Sequence, residues 1–470
     1  MKMLHSFQTI TSFVNAPLAY LGCFTISALG ALSRDARAVY CCRFWSTQLW
    51  SCWEKTMPSP LGSRPFTSAR CLTIFITFGL ALTSASIEAQ TFQVLHSFTG
   101  GLDGATPYAG LTVDRAGNLY GTTSAWSVGS GTVFRLSKRT GTWIFSPLYI
   151  FNGGSDGRNP NTRVVFGPDG ALYGTTLQGG QSWGTVFKLQ PPLSICHAVS
   201  CPWTETVVYA FGQGGSSDGL YPNGEITFDP SGNLYGVTQQ GGATDYGTVY
   251  ELTRTHGTYV HSILYSFNQN NNEVYPEGLL SFDGSGNLYG IAAGILGDDS
   301  NIYELTHSGA GWEETKTFNQ YTQQTGGYPS GGVIVDGFAN VYGANALGGA
   351  NNGGVVFELS PSGGGWTFNV LNALPGGTQN GGGPGSFLFM DSQGDIFGTT
   401  VANGSWSHGS VFELKLQSGS WVYTSLHDFT GGSDGSEPFS NVVLDSNGSL
   451  YGTTTAGGDH GYGVVWEITP

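Results

Sequence analysis

Positive charge is scarce in this chain, and charge of either sign is uncommon. Asp, Glu, Lys and Arg supply 10% of its 470 residues, and only 17 are Lys or Arg. Seven of those 17 precede residue 90, so residues 90–470 carry 10 cations against 29 Asp and Glu, a formal net charge of −19. Such a surface repels phosphate backbones and anionic lipid, which disfavours nucleic acid and the membrane surface as partners. Few ion pairs can form, so the core has to come from Tyr, Phe, Trp, Val and Leu. Cysteine is sparse as well: Cys23, Cys41, Cys42, Cys52 and Cys71 lie near the start, leaving only Cys196 and Cys201 in the remainder. No G-x-S-x-G, H-E-x-x-H or phosphate-loop pattern occurs. Nothing beyond residue 90 has the period of a helix.

What the chain has in quantity is glycine, 74 residues, and aromatic side chains, 13% of the total. Both recur on a fixed period. The triplet L-Y-G, or a close variant, ends at Gly121, Gly174, Gly236, Gly290, Gly343, Gly398 and Gly452, with gaps of 53, 62, 54, 53, 55 and 54 residues. A period of that size, made of short strand-like runs, marks a β-propeller with one blade per repeat.

Each repeat opens on a Gly-rich approach and a proline: Pro107, Pro160, Pro222, Pro276, Pro329, Pro384 or Pro438. An alternating run such as Leu111-Thr112-Val113 follows, then an Asp-, Gly- and Asn-bearing hairpin turn, then the L-Y-G strand. A third strand reads G-T-V-F-x-L, as at Gly131–Leu136, and an aromatic opens a fourth: Trp143, Trp203, Tyr259, Trp312, Trp366 or Trp421. Four strands suffice for a blade. The last repeat stops after its third strand, while a spare fourth-strand sequence, Phe92 to Phe98, precedes the first. The expected fold is therefore all-β: a seven-bladed propeller of four-stranded blades over 90–470, closed by pairing the N-terminal strand with the C-terminal blade.

The first 89 residues break the repeat. Met57 is followed by Arg64 and Arg70, an apolar run from Cys71 to Leu82, and small residues up to Ala89. That order describes a secretory signal peptide over 57–89, and its apolar run is short for a spanning helix, which favours cleavage. Residues 1–56 read as an accessory or non-native extension. In an exported chain, Cys196 and Cys201, close together in the insertion behind the 62-residue gap, are expected to form a local disulfide. Zinc binding by this pair and His197 would lack a fourth ligand.

The string P-x-x-G-L-T-V-D-x-x-G-N-L-Y-G from Pro107 to Gly121 resembles the opening of NHL-type propeller repeats. Its continuation, T-T after L-Y-G, a G-G loop and G-T-V-F-x-L, resembles more closely the secreted bacterial GloVer tandem-repeat proteins, from Phe92 to Pro470. Repeats four and five depart most, with Ile291-Ala292 and Ala344-Asn345 in place of the threonine pair. The resemblance implies an exported propeller and brings no established reaction.

Two residue sets are candidate sites. Asp103, Asp156, Asp218 and Asp434 each stand four residues before the loop proline, and Asn272, Thr325 and Asn380 take that place in the other blades. A ring of oxygens there suits a hard cation such as calcium; equally, Asp before Gly closes its own turn. Aromatic residues of the loops form the second set. Trp183, Tyr246 and Tyr462 precede the third strand, and Trp126 and Trp406 lie in equivalent loops. Rings beside Asn and Asp suit stacking on sugars, and they suit packing on the next blade. No catalytic residue stands out, and no break in the repeat is evident at the axis. The expected function is a monomeric, secreted or cell-surface module binding protein or polysaccharide. The alternatives are a calcium-supported hydrolase or lyase acting on a small ester, lactone or glycan, and a purely structural envelope repeat.

Overall fold

The computed structural model describes 37–42, 51–56 and 90–470, apart from 125–128, 193–202, 270–272, 295–299, 310, 320–321, 323, 350–351 and 377–382. Trp126, Cys196, Cys201, Asn272 and Asn380 lie outside the described residues, as does the leader expected at 57–89. The chain divides into two units, Met1–Ser86 and Ile87–Pro470. In the first, Arg37–Cys42 pairs antiparallel with Ser51–Thr56.

The second unit is a propeller of seven antiparallel blades, one per L-Y-G triplet. Blade 2 shows the pattern: Val165–Phe166, Leu172–Thr176, Thr185–Gln190 and Thr204–Ala210 pair in sequence order. Blade 7 takes its fourth strand from the other end of the repeat region. Thr91–Ser97 pairs with Val464–Thr469, so the N-terminal strand closes the ring as the spare sequence required. Seven hydrophobic clusters, one between each pair of neighbouring blades, complete the circle. The closing cluster joins Phe98, Leu111 and Phe134 to Val443, Tyr451 and Val465.

The repeat signature is a packing code. Gly121 faces Phe134 across the second and third strands, and a Cβ there would lie 2.5 Å from the ring. Gly174 stands in the same relation to Phe187, at 2.6 Å, so glycine in L-Y-G and the aromatic of G-T-V-F occupy one another's space. The tyrosine of the triplet donates its hydroxyl to the hairpin aspartate, Tyr120 to Asp114 at 3.0 Å and Tyr173 to Asp169 at 2.9 Å. Asp114 also accepts the backbone N–H groups of Ala116 and Asn118, each at 2.9 Å, which is turn chemistry.

Proline and threonine join the blades. The glycine before the third strand has positive φ, +97° at Gly184 and +91° at Gly463, and lies under the repeat proline of the following blade, Pro222 and Pro107. A side chain there would be strained by its backbone and would strike that ring. The first threonine after L-Y-G donates across the interface: Thr122 to the Thr162 carbonyl at 3.0 Å, Thr399 to Ser440 at 2.8 Å, Thr453 to Pro107 at 2.9 Å. The second pairs with the start of the third strand, as Thr176 does with Thr185 at 2.8 Å. Blade 4 has lost both hydroxyls, and there the backbone substitutes: the Leu279 N–H donates to the Gly331 carbonyl at 2.9 Å.

Candidate functional site at the propeller axis

The four aspartates of the proline approach are committed to their own turns. Asp156 accepts from the Asn152 N–H at 2.7 Å, the Gly154 N–H at 3.2 Å and the Tyr149 hydroxyl at 3.1 Å. Asp218 accepts from Gly212, Gly214 and the Tyr209 hydroxyl, the last at 2.7 Å. In Asp103 and Asp434 a histidine replaces the tyrosine: His96 and His427 approach at 3.2 Å, and Thr99 and Thr430 add backbone and hydroxyl donors. Burial alone would raise these two carboxyls, but the threonine and histidine hydrogen bonds outweigh it and hold both below the ordinary aspartate range. The four carboxylates fall in four different blades, each held in its own turn. Among the described residues no group of three or more His, Cys, Asp or Glu is arranged to hold a metal.

The aromatic slot before the third strand is largely packing. The ring of Trp183 rests on Gly212, and that of Tyr462 on Gly100, where a Cβ would come within 2.7 Å. Tyr246 packs on the cluster between blades 3 and 4 and accepts a hydrogen bond from Gln269. The carbonyl of each slot residue accepts the N–H of the residue before the next repeat proline, as Trp183 does from Tyr221 at 2.9 Å. Trp183 keeps 37% of its surface exposed, and Trp406, at 62%, is the freest of the described rings in this set.

The structure gathers a different set at the axis. A cavity of about 140 Å³ is lined by the residue that follows each repeat proline: Tyr108, Asn161, Asn223, Glu277, Ser330, Gly385 and Phe439. Because all seven blades contribute the same position, the cavity lies on the ring axis. A wider hollow of about 350 Å³ shares Tyr108, Asn161, Asn223 and Phe439 with it and adds Glu437 and Thr455 at the rim. Tight backbone makes room for these side chains. Gly110 sits against the Asn441 carboxamide, and a Cβ on Gly278 would meet the Gly331 carbonyl.

Here the repeat is broken, contrary to the reading of the sequence. Tyr108 and Phe439 stack with centroids 5.0 Å apart and planes 20° from parallel, and Tyr108 remains 40% exposed. Asn161 donates Nδ2 to Asn223 Oδ1 at 2.8 Å, leaving its own Oδ1 buried without a partner. Below the mouth, Arg163 grips Glu225 Oε2 through Nε at 3.0 Å and Nη2 at 2.9 Å, with its guanidinium 5.5 Å from the Phe387 ring centre. Burial raises the Glu225 carboxyl, and Arg163 offsets part of that. Glu277 has no such counter-charge: burial alone pushes its carboxyl up. Burial, with the negative charge of Glu277 nearby, raises the Tyr108 hydroxyl too. The sequence signal was there in inverted form, a position at fixed distance from the repeat proline that refuses to repeat.

Fold and site define a seven-bladed β-propeller whose exceptional residues converge at the axis. The model of the Gloeobacter/Verrucomicrobia repeat matches residues 81–297 and 286–470, and the chain belongs to that family. No curated protein matches the sequence. Among solved structures, the polysaccharide lyase Uly1 is similar at 11% identity, over 82% of this chain and 94% of that one, with a TM-score of 0.47. A protein from Lactobacillus plantarum is similar at 13% identity, over 72% of this chain and 88% of that one, also with a TM-score of 0.47. Neither carries a function across to this chain.

Proposed function

We propose that the chain is an exported binding propeller that receives the end of a saccharide at its axial mouth. One observation carries the reading: the seven-fold repeat is abandoned where the blades meet, and a stacked aromatic pair, two carboxamides and an acid stand there instead. An exposed ring face takes the apolar face of a sugar, and carboxamides and carboxyls bond its hydroxyls. The loop aromatics, for which the sequence left sugar stacking and blade packing open, are spent mostly on packing. Export follows from the leader pattern at 57–89, and the Cys196–Cys201 disulfide would form outside the cell.

The test is capture of the full chain on a panel of immobilised oligosaccharides, beside Tyr108→Ala and Trp406→Ala variants. Tyr108→Ala should lose capture and Trp406→Ala should keep it. Retention by the first and loss by the second would move the site to the rim, and no capture by any form would end the saccharide reading.

A further inference from the structure

Within that saccharide reading, we propose that the axial mouth selects sugars bearing a free amine, with Glu277 as the counter-charge for the ammonium. The argument is an inventory of donors, acceptors and charges. The side chains lining the mouth and its rim hollow include Glu225, Glu277 and Glu437, and no Lys, Arg or His lines either among the described residues. The nearby cation, Arg163, already turns two nitrogens onto Glu225. An anionic ligand would therefore find no counter-charge.

Glu277 is the group left over. Its carboxyl has no hydrogen bond or ion pair with another described residue, and its burial penalises the unpaired charge. A ligand ammonium would supply both the missing charge and the missing donors. Asn161 Oδ1 is a further acceptor, buried and without a donor. An amine beside ring hydroxyls offers donors for both, and the exposed face of Tyr108, stacked on Phe439, takes the sugar ring. A neutral sugar satisfies the same mouth less completely, because a hydroxyl gives Glu277 one neutral donor in place of a charged one. N-acetylation removes the charge and adds bulk.

The experiment is calorimetric titration of the full chain with three probes: a glucosamine oligomer, its N-acetylated counterpart and a glucose oligomer of equal length. The glucosamine oligomer should bind about tenfold more tightly than the other two, the ratio a charge-assisted hydrogen bond supplies. Glu277→Gln should abolish that preference, bringing the glucosamine oligomer to the affinity of the glucose oligomer. Equal affinity for all three probes or a preference that survives Glu277→Gln would overturn the ammonium site, and equally tight binding of an oligolysine would overturn its selection of sugars. In the first two cases the saccharide reading stands. If none of the three oligomers binds, both fall together.

Discussion

The blade bodies and the axial mouth are written in the same repeat, but one is uniform and the other is not. In the bodies, Gly174 under Phe187 recurs as Gly121 under Phe134 and Gly343 under Phe357. At the axis, one repeat position holds Tyr108, Asn161, Asn223, Glu277, Ser330, Gly385 and Phe439. Uniform positions satisfy the geometry every blade shares, namely turn closure, cross-strand space and contact with the next proline. A position free of those demands can differ from blade to blade. The difference teaches where to look for function in a repeat protein: at the place where alignment of the repeats fails.

Ring closure is the largest effect expected. Removing Thr91–Ser97 strips the outer strand from blade 7 and takes Leu95 off the closing cluster. It also exposes an edge in a fold held by neighbour contacts. Chemical denaturation should show loss of the cooperative transition; a transition like the wild type's would mean the ring closes in another way. Gly174→Ala should come next. Its Cβ would press on the Phe187 ring, an overpacking worth about 1–3 kcal/mol. A denaturant midpoint unchanged by that substitution would refute the packing code.

Blade 4 offers a subtler contrast. Where the proline approach carries Gly157 against Thr176, blade 4 carries Glu273, and the facing threonine has become Ala292. Glu273 is fully buried, and burial, with the neighbouring Glu314, pushes its carboxyl from 4.5 up to about 8. A carboxyl raised on folding contributes stability that is full below its unfolded pKa and lost as pH rises through the folded one. Wild type should therefore lose thermal stability between pH 4.5 and about pH 8 through this group, and Glu273→Gln should flatten that loss. Melting curves at pH 5 and pH 9 check the sign, and a variant that melts lower than wild type at pH 9 would contradict it. Smallest is Thr122→Val, which removes one inter-blade hydrogen bond to Thr162 and should cost about 1 kcal/mol.

The scaffold was legible in the sequence because its causes are local and repeated. Seven triplets counted the blades, and the spare strand before Phe98 told how they close. Asp114 and its equivalents announced hairpin turns, and the structure has them capping backbone N–H groups. The axial site was hidden for the complementary reason. A search for recurrence averages away Asn161 and Glu277, which share a cavity only after seven blades curve into a circle. Trp183 was open in sequence to sugar stacking and to blade packing alike, and its ring rests on Gly212, a partner that only the fold brings near.

Hydrogen–deuterium exchange of the full chain, with and without a saturating oligosaccharide, tests the axial assignment most directly. The account predicts slowed exchange in the segments that follow the repeat prolines, around Tyr108, Asn161, Asn223 and Glu277, with the loops of Trp183, Trp406 and Tyr462 unchanged. Protection confined to those loops, with the post-proline segments exchanging as before, would contradict it.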